Sequence, residues 1–283
     1  MIYTFIRTQK WTVTFLIALW LMGCGPTYPR DKVEQGIKNL CKQEHNIDVH
    51  ARLVGRTLYV FLQANNLLDE SLSLGEKAYD ILEKTLLSTT RVTLSSDADI
   101  QFYILVVEDH IRRIEMTFIQ NIRDIKRFIF RQISREDYFS RMVIKVKVKK
   151  EEEEWFSESA VLDEMDLSGF LAQQVIWRVK REIEGNLLLR FVINMEEISG
   201  GYDRKEKTFF FTIRSKEESK AGKWQKDILT DLIVEKMWET SEKYRFDDFR
   251  GIVLRDGKAV TMSKEEMKAM AEKEKSIKKR VPK

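Results

Sequence analysis

Three prolines and twelve glycines in 283 residues exclude a collagen-like or proline-rich architecture. Two cysteines, Cys24 and Cys41, are too few for a disulfide framework. Histidine is nearly as scarce, with only His45, His50 and His110 to serve a triad or a histidine-rich metal site. No HExxH, GxSxG, P-loop or GxGxxG pattern occurs. The apolar run Trp11 to Met22 is 12 residues long, short of the roughly 20 that a membrane-spanning helix needs. Charge of one sign is also lacking. The net charge of +4 falls to +2 without Arg7 and Lys10, and the segment from Ser263 onward, with eight basic residues against four acidic, supplies +4. The remainder is therefore near −2, which argues against a basic nucleic-acid-binding face. What is present suits a packed core, since 43% of the residues are hydrophobic and 11% aromatic.

The N-terminus carries an address. Arg7 and Lys10 precede the apolar run Trp11 to Met22, the order of a secretory signal. The run ends in Leu21-Met22-Gly23-Cys24, which resembles the lipobox of bacterial lipoproteins: a large aliphatic residue, a tolerant position, a small residue and cysteine. Met22 departs from the small residue more usual there. The resemblance implies lipidation of Cys24 by a diacylglyceryl group, cleavage after Gly23 and a mature chain of 260 residues beginning at Cys24. It also implies a protein anchored to the cell membrane or outer membrane and facing the periplasm. Gly25, in place of an aspartate, leans towards the outer membrane. These features cover only the first 25 residues or so and say nothing of the domain that follows.

Five segments follow in order: a signal peptide over 1–23, a lipidated tether over 24–30, a first α+β domain over 31–150, a second over 151–262, and a basic C-terminal helix over 263–283. In the first domain, Asp31 to Glu44 reads as a helix with the apolar stripe Val33, Ile37, Leu40 and Cys41, which makes Cys41 a buried, inert thiol. Ile47, Val49, Ala51 and Leu53 alternate with polar residues as a strand, Gly55 makes a turn, and Thr57 to Gln63 forms the second strand. A helix from Leu74 ends before Arg91. Ile100 to Val107 is a buried strand with Ile114 to Ile119 returning antiparallel. The period between Asn121 and Arg141 is ambiguous. Met142 to Lys149 reads as an edge strand with lysines on one face, and Glu151 to Glu154 as a solvated turn near them.

The second domain repeats that order. Asp166 to Glu184 is a helix, Leu187 to Ile198 and Glu206 to Arg214 are strands about a turn at Ser199-Gly200-Gly201, and Lys223 to Tyr244 is a helix with Trp224, Ile228, Leu232 and Ile233 inward. Ile252 to Leu254 and Ala259 to Met262 flank the hairpin dipeptide Asp256-Gly257. Both halves read helix, hairpin, helix, strand pair, an α+β fold of antiparallel sheets packed by helices and a candidate duplication. The order resembles, in topology alone, the small BON modules of bacterial envelope proteins, and function does not transfer on that ground. Ser263-Lys264-Glu265-Glu266 is a capping box that opens the last helix, a solvated one with the thin stripe Met267, Met270 and Ala271.

For chemistry, the best cluster is Glu108-Asp109-His110, weak catalytic candidates that would gain force if Asp97 and Asp99 approached. Adjacent residues on a turn point different ways, whereas ligands must converge. No metal or cofactor site is expected. The expected function is a lipid-anchored cell-envelope binding or assembly protein, with the membrane and an envelope protein or polymer as partners and no nucleic acid. Two alternatives stand beside it: a membrane-tethered hydrolase of an envelope polymer or lipid, and a carrier of a small apolar ligand.

Overall fold

The computed structural model describes residues 28–69, 74–153, 155–157, 160–193, 195–215, 223–256 and 258–278. The signal peptide and the lipidation position Cys24 lie outside the described residues. The chain enters at Tyr28, which bridges to Ser96, and passes through a short 3-10 turn, Arg30–Lys32.

The first unit runs α1 (Val33–His45), β1 (Val49–Val54), β2 (Thr57–Gln63), α2 (Glu76–Leu94), β3 (Phe102–Asp109) and β4 (Ile114–Asn121). Asn46 ends α1 in the left-handed region, φ 54, so its own N–H and that of Ile47 can bond back to Lys42 and Cys41. Two short helices follow, α3 (Ile122–Ile129) and α4 (Arg135–Arg141), then β5 (Val143–Val148). The strands form one sheet in sequence order, with β2 and β3 parallel and every other pair antiparallel. The lysine-bearing strand β5 is at the edge, as its pattern predicts. Alternation sends Leu58, Val60, Leu62, Tyr103, Leu105 and Val107 to the face covered by α1 and α2, where they meet Val33, Ile37, Cys41, Ala78 and Leu82. Burial pushes the Cys41 thiol above its ordinary value, against a hydrogen bond with Ser88, in keeping with an inert core cysteine.

The second unit runs α5 (Leu167–Gly185), α6 (Leu187–Val192), β6 (Met195–Asp203), β7 (Thr208–Ser215), α7 (Lys223–Tyr244), β8 (Gly251–Asp256), β9 (Lys258–Ser263) and α8 (Lys264–Lys278). Its sheet order is β6-β7-β8-β9, again with a parallel central pair between antiparallel ones. The helix–hairpin–helix–hairpin order and the pairing scheme thus occur twice, in an α+β fold. Each sheet is mixed rather than wholly antiparallel, because its two hairpins are joined side by side through a crossover helix.

Helix α5 packs beneath the first sheet as well as on the second. Phe102, Ile104, Ile119 and Val143 of the first sheet share one core with Phe170, Leu171, Val175 and Val179 of α5 and with Phe209, Phe211, Ile252 and Leu254 of the second sheet.

Several expectations are corrected. Leu187 to Val192 is helical, capped by the Asn186 side chain, which accepts from the N–H groups of Leu188 and Leu189. Ser199-Gly200-Gly201 is not a turn but lies inside β6, and the hairpin reverses after Asp203. A Cβ on Gly200 would collide with the carbonyl oxygen of Phe210 on β7, so the glycine serves a close strand approach. Helix α2 continues past Arg91 to Leu94, which buries Val92. The predicted capping box forms reciprocally: the Glu266 carboxylate accepts from the Ser263 N–H at 2.7 Å and the Ser263 hydroxyl accepts from the Glu266 N–H at 3.3 Å. The helix it opens is docked rather than solvated, for Met267 and Ala271 are buried in the shared core. The side chain of Trp224 lies outside the described residues.

Candidate functional site

The sequence candidates sit where β3 turns into β4, and the structure separates their roles. Asp109 is fully buried and holds the backbone: one carboxylate oxygen accepts from Leu67 N–H at 2.8 Å, the other from Ile111 and Arg112 N–H at 3.1 Å each. It shapes the turn and faces no cleft. Asp97 and Asp99 do not approach, because they precede the eight-residue strand β3 at its opposite end, roughly 25 Å away at ~3.3 Å per residue.

Glu108 and His110 do come together. His110 Nε2 is 3.2 Å from one Glu108 oxygen, and its Nδ1 is 3.4 Å from the amide nitrogen of Gln63. With Gln63 donating, the neutral ring carries its proton on Nε2 and gives it to the carboxylate. The other Glu108 oxygen accepts the Phe156 N–H at 2.9 Å and lies 4.0 Å from the buried ammonium of Lys149, which also pairs with Glu115 at 3.1 Å. Trp155 closes the group. Its ring stacks on His110 at 4.2 Å between centroids and lies 4.7 Å from the Lys149 nitrogen.

The chain carrying Trp155 and Phe156 is the connection between the two units, and this cluster fastens its near end. Phe156 stacks on Phe61. Farther along, Arg52 donates to the Ala160 carbonyl at 2.9 Å, Tyr59 to the Asp163 carbonyl at 2.7 Å, and Arg56 pairs with Glu164 at 3.0 Å. Met165 N–H donates to the Thr57 hydroxyl at 2.8 Å. The linker is thereby strapped along β2 from its last residues back to its first.

Beside the strap opens a cleft of about 580 Å³ lined by His50, Phe61, Gln63, Glu108, His110 and Phe156, among others. Glu108 and His110 could exchange a proton at its wall, but among the described residues no serine, threonine or cysteine lines it to act as a nucleophile. Among the described residues no group of three or more His, Cys, Asp or Glu side chains is placed to hold a metal ion.

A second polar cluster was not legible in the sequence. It lies at the other end of the first sheet, built from the ambiguous segment 121–141. Asp124 of α3 is buried with one oxygen 3.2 Å from the Arg141 guanidinium and the other accepting the Tyr244 hydroxyl from α7. Arg141 also reaches Asp137 at 2.9 Å and faces the Tyr244 ring at 5.6 Å, while Gln174 of α5 donates to the Arg141 carbonyl and to the Tyr244 oxygen at 3.2 Å. Lys243 adds a contact to Asp137 at 3.3 Å. Burial pushes the Asp124 carboxyl up, against the opposing pull of Tyr244, Arg141 and Arg127. Burial also raises Tyr244, with Asp124 adding to the effect, and pushes Tyr138, hydrogen-bonded to Gln120, up to about 12. Both tyrosines stay neutral donors. The only sequence signal was the pair of helix caps, Asn121 and Ser134, whose side chains accept from Arg123 and Asp137 N–H.

The chain matches no protein-family model, no curated protein and no solved structure.

Proposed function

We propose that the chain is a lipid-anchored component of the bacterial cell envelope that binds or helps assemble a protein or envelope polymer, held at the membrane by acyl groups on Cys24. The observation that carries this reading is Leu21-Met22-Gly23-Cys24 behind a basic flank and a short apolar run. No described helix is long and apolar enough to cross a membrane. Tyr28, four residues after Cys24, is bonded through its backbone to Ser95 and Asp97. Four residues reach at most about 14 Å at ~3.5 Å each. An anchor so short would hold the body against the headgroups and raise its effective concentration for anything displayed there. Glu108 and His110 are better accounted for as the fastening of the linker than as a hydrolytic pair, which is why binding is preferred to the hydrolase alternative.

Intact mass of the membrane-extracted protein, beside a Cys24→Ala variant, tests the reading. The expected result is a mature chain starting at Cys24 and heavier by acyl groups, with the variant losing both lipid and membrane association. An unmodified chain still beginning at Met1 would overturn it.

A further inference from the structure

The α3–α4 hairpin exposes a cluster of large apolar side chains among basic ones. Phe130 is 71% exposed, Ile129 48%, Phe139 45% and Phe128 36%, all within twelve residues. Around them stand Arg123, Lys126, Arg127, Arg131 and Arg135. The acids of the hairpin do not balance these charges. Asp124 is buried against Arg141 and Tyr244 with Arg127 at 3.9 Å, and Asp137 is held by Arg141 and Lys243, which leaves Glu136 as the exposed acid among Arg123, Lys126, Arg131 and Arg135.

Position adds a second observation. The Ile122 N–H that opens α3 donates to the carbonyl of Gln101, and the Gln101 N–H donates to Arg56 at the β1–β2 turn. Tyr28 is bonded to Ser95 and Asp97 at this same end of the sheet, and Arg30 reaches the Gly55 carbonyl of the same turn. The hairpin and the point where the tether enters therefore share one end of the first sheet. The base of the hairpin, at Ile122, is about two strand spacings, roughly 10 Å, from the β1–β2 turn that Arg30 reaches.

We propose that the α3–α4 hairpin is a second membrane contact, its Phe128–Phe130 tip entering the interface of an anionic phospholipid bilayer while the surrounding arginines meet the phosphates. The inference takes its orientation from the lipid anchor at Cys24. The chemistry is that of interfacial segments, where apolar side chains sit at the acyl boundary and arginines at headgroup level. A lipid on Cys24 alone leaves a body free to swivel about its tether. A second contact would fix which faces look outward.

The test uses the full chain recovered from membranes and placed in vesicles of phosphatidylethanolamine with phosphatidylglycerol, or of phosphatidylcholine alone. An environment-sensitive fluorophore is attached at Gln132→Cys, and a control at Ile111→Cys in the β3–β4 turn at the far end of the strands. Label taken up by Cys24 or Cys41 is read on the parent chain and subtracted. The expected result is quenching of the hairpin label, but not the control, by lipid-borne nitroxide in the anionic vesicles. Phe130→Glu, at an exposed position, should abolish the quenching, and Lys126→Gln or Arg131→Gln should each weaken insertion about fivefold. A hairpin label as solvated as the control in both vesicle types would overturn the proposal, including the case where a protein covers the patch instead. Intact mass on the same sample separates the two readings. An acylated chain with a solvated hairpin sinks this inference alone, and an unacylated chain with an inserted hairpin sinks only the anchor.

Discussion

The two ends of the five-stranded sheet are each closed by a polar cluster, and the clusters are made differently. At one end, Glu108, His110 and Lys149 gather residues close in sequence or on neighbouring strands, and they hold the linker through Trp155 and Phe156. At the other, Asp124, Arg141, Gln174 and Tyr244 come from four helices of both units and meet where water is excluded. The first cluster has an exposed histidine and a cleft beside it, whereas the second carries an ion pair inside the body. The difference teaches where the units are joined. The strap positions the linker, and the buried cluster ties α3 and α4 to α5 and α7.

Removing the buried guanidinium should break this comparison most severely. Arg141→Ala leaves Asp124 in the interior without its nearer countercharge, Arg127 standing at 3.9 Å, and such a loss costs about 3–5 kcal/mol. Urea denaturation of the variant checks it. A loss of less than about 1 kcal/mol, the range of an exposed pair, would mean that the pair is solvated.

Tyr244→Phe is smaller. It removes the hydroxyl that donates to Asp124 and accepts from Gln174, and a hydrogen bond to a charged group contributes about 1.5–3 kcal/mol. Packing of the ring on Phe170 is kept, so the loss should fall on stability and leave the fold unchanged. A circular dichroism spectrum together with a denaturant midpoint separates those two outcomes.

Glu108→Gln probes the other end. The amide can still accept from Phe156, but Lys149 loses the Glu108 carboxylate, a change of about 1 kcal/mol. The effect should be local. Amide hydrogen exchange over residues 155–166 is expected to speed up while the core helices α5 and α7 keep their protection. Equal acceleration in α5 and α7 would show that the strap is part of the same cooperative unit as the buried cluster.

Legibility followed the range of the interaction. Strand β2 and helix α7 have the bounds read from their patterns, Thr57–Gln63 and Lys223–Tyr244, because each pattern is set by burial of one's own neighbours in sequence. The doubled topology was visible for the same reason. Gly200 and Gly201 were misread because a glycine needed for close strand approach looks, in sequence, like a glycine needed for a turn. The triple Glu108-Asp109-His110 was found as a cluster of chemistry, yet alternation sends Asp109 to the opposite side of the strand, where the turn consumes it. The Asp124 cluster left no pattern, since its members are separated by up to 120 residues and only tertiary structure brings them together.

The smallest expected effect sharpens the comparison where the strap ends and the shared core begins. Asp166 caps α5, accepting from Gly169 N–H at 2.6 Å and pairing with Arg204 at 2.6 Å. Burial alone would raise its carboxyl, but the Gly169 N–H, Arg204 and Ser168 outweigh it and hold the group below its ordinary 3.8. A depressed acid contributes stability that is whole above the unfolded value and is lost as pH falls through the lower folded one. Asp166→Ala should therefore cost about 1 kcal/mol near neutral pH, the worth of a helix N-cap. The gap between parent and variant should narrow once the pH drops below 3.8. Urea unfolding of both proteins across that range measures it. A gap that stays constant on acidification would mean that Asp166 caps α5 as well neutral as charged, and that its charge adds nothing to the hold on the helix.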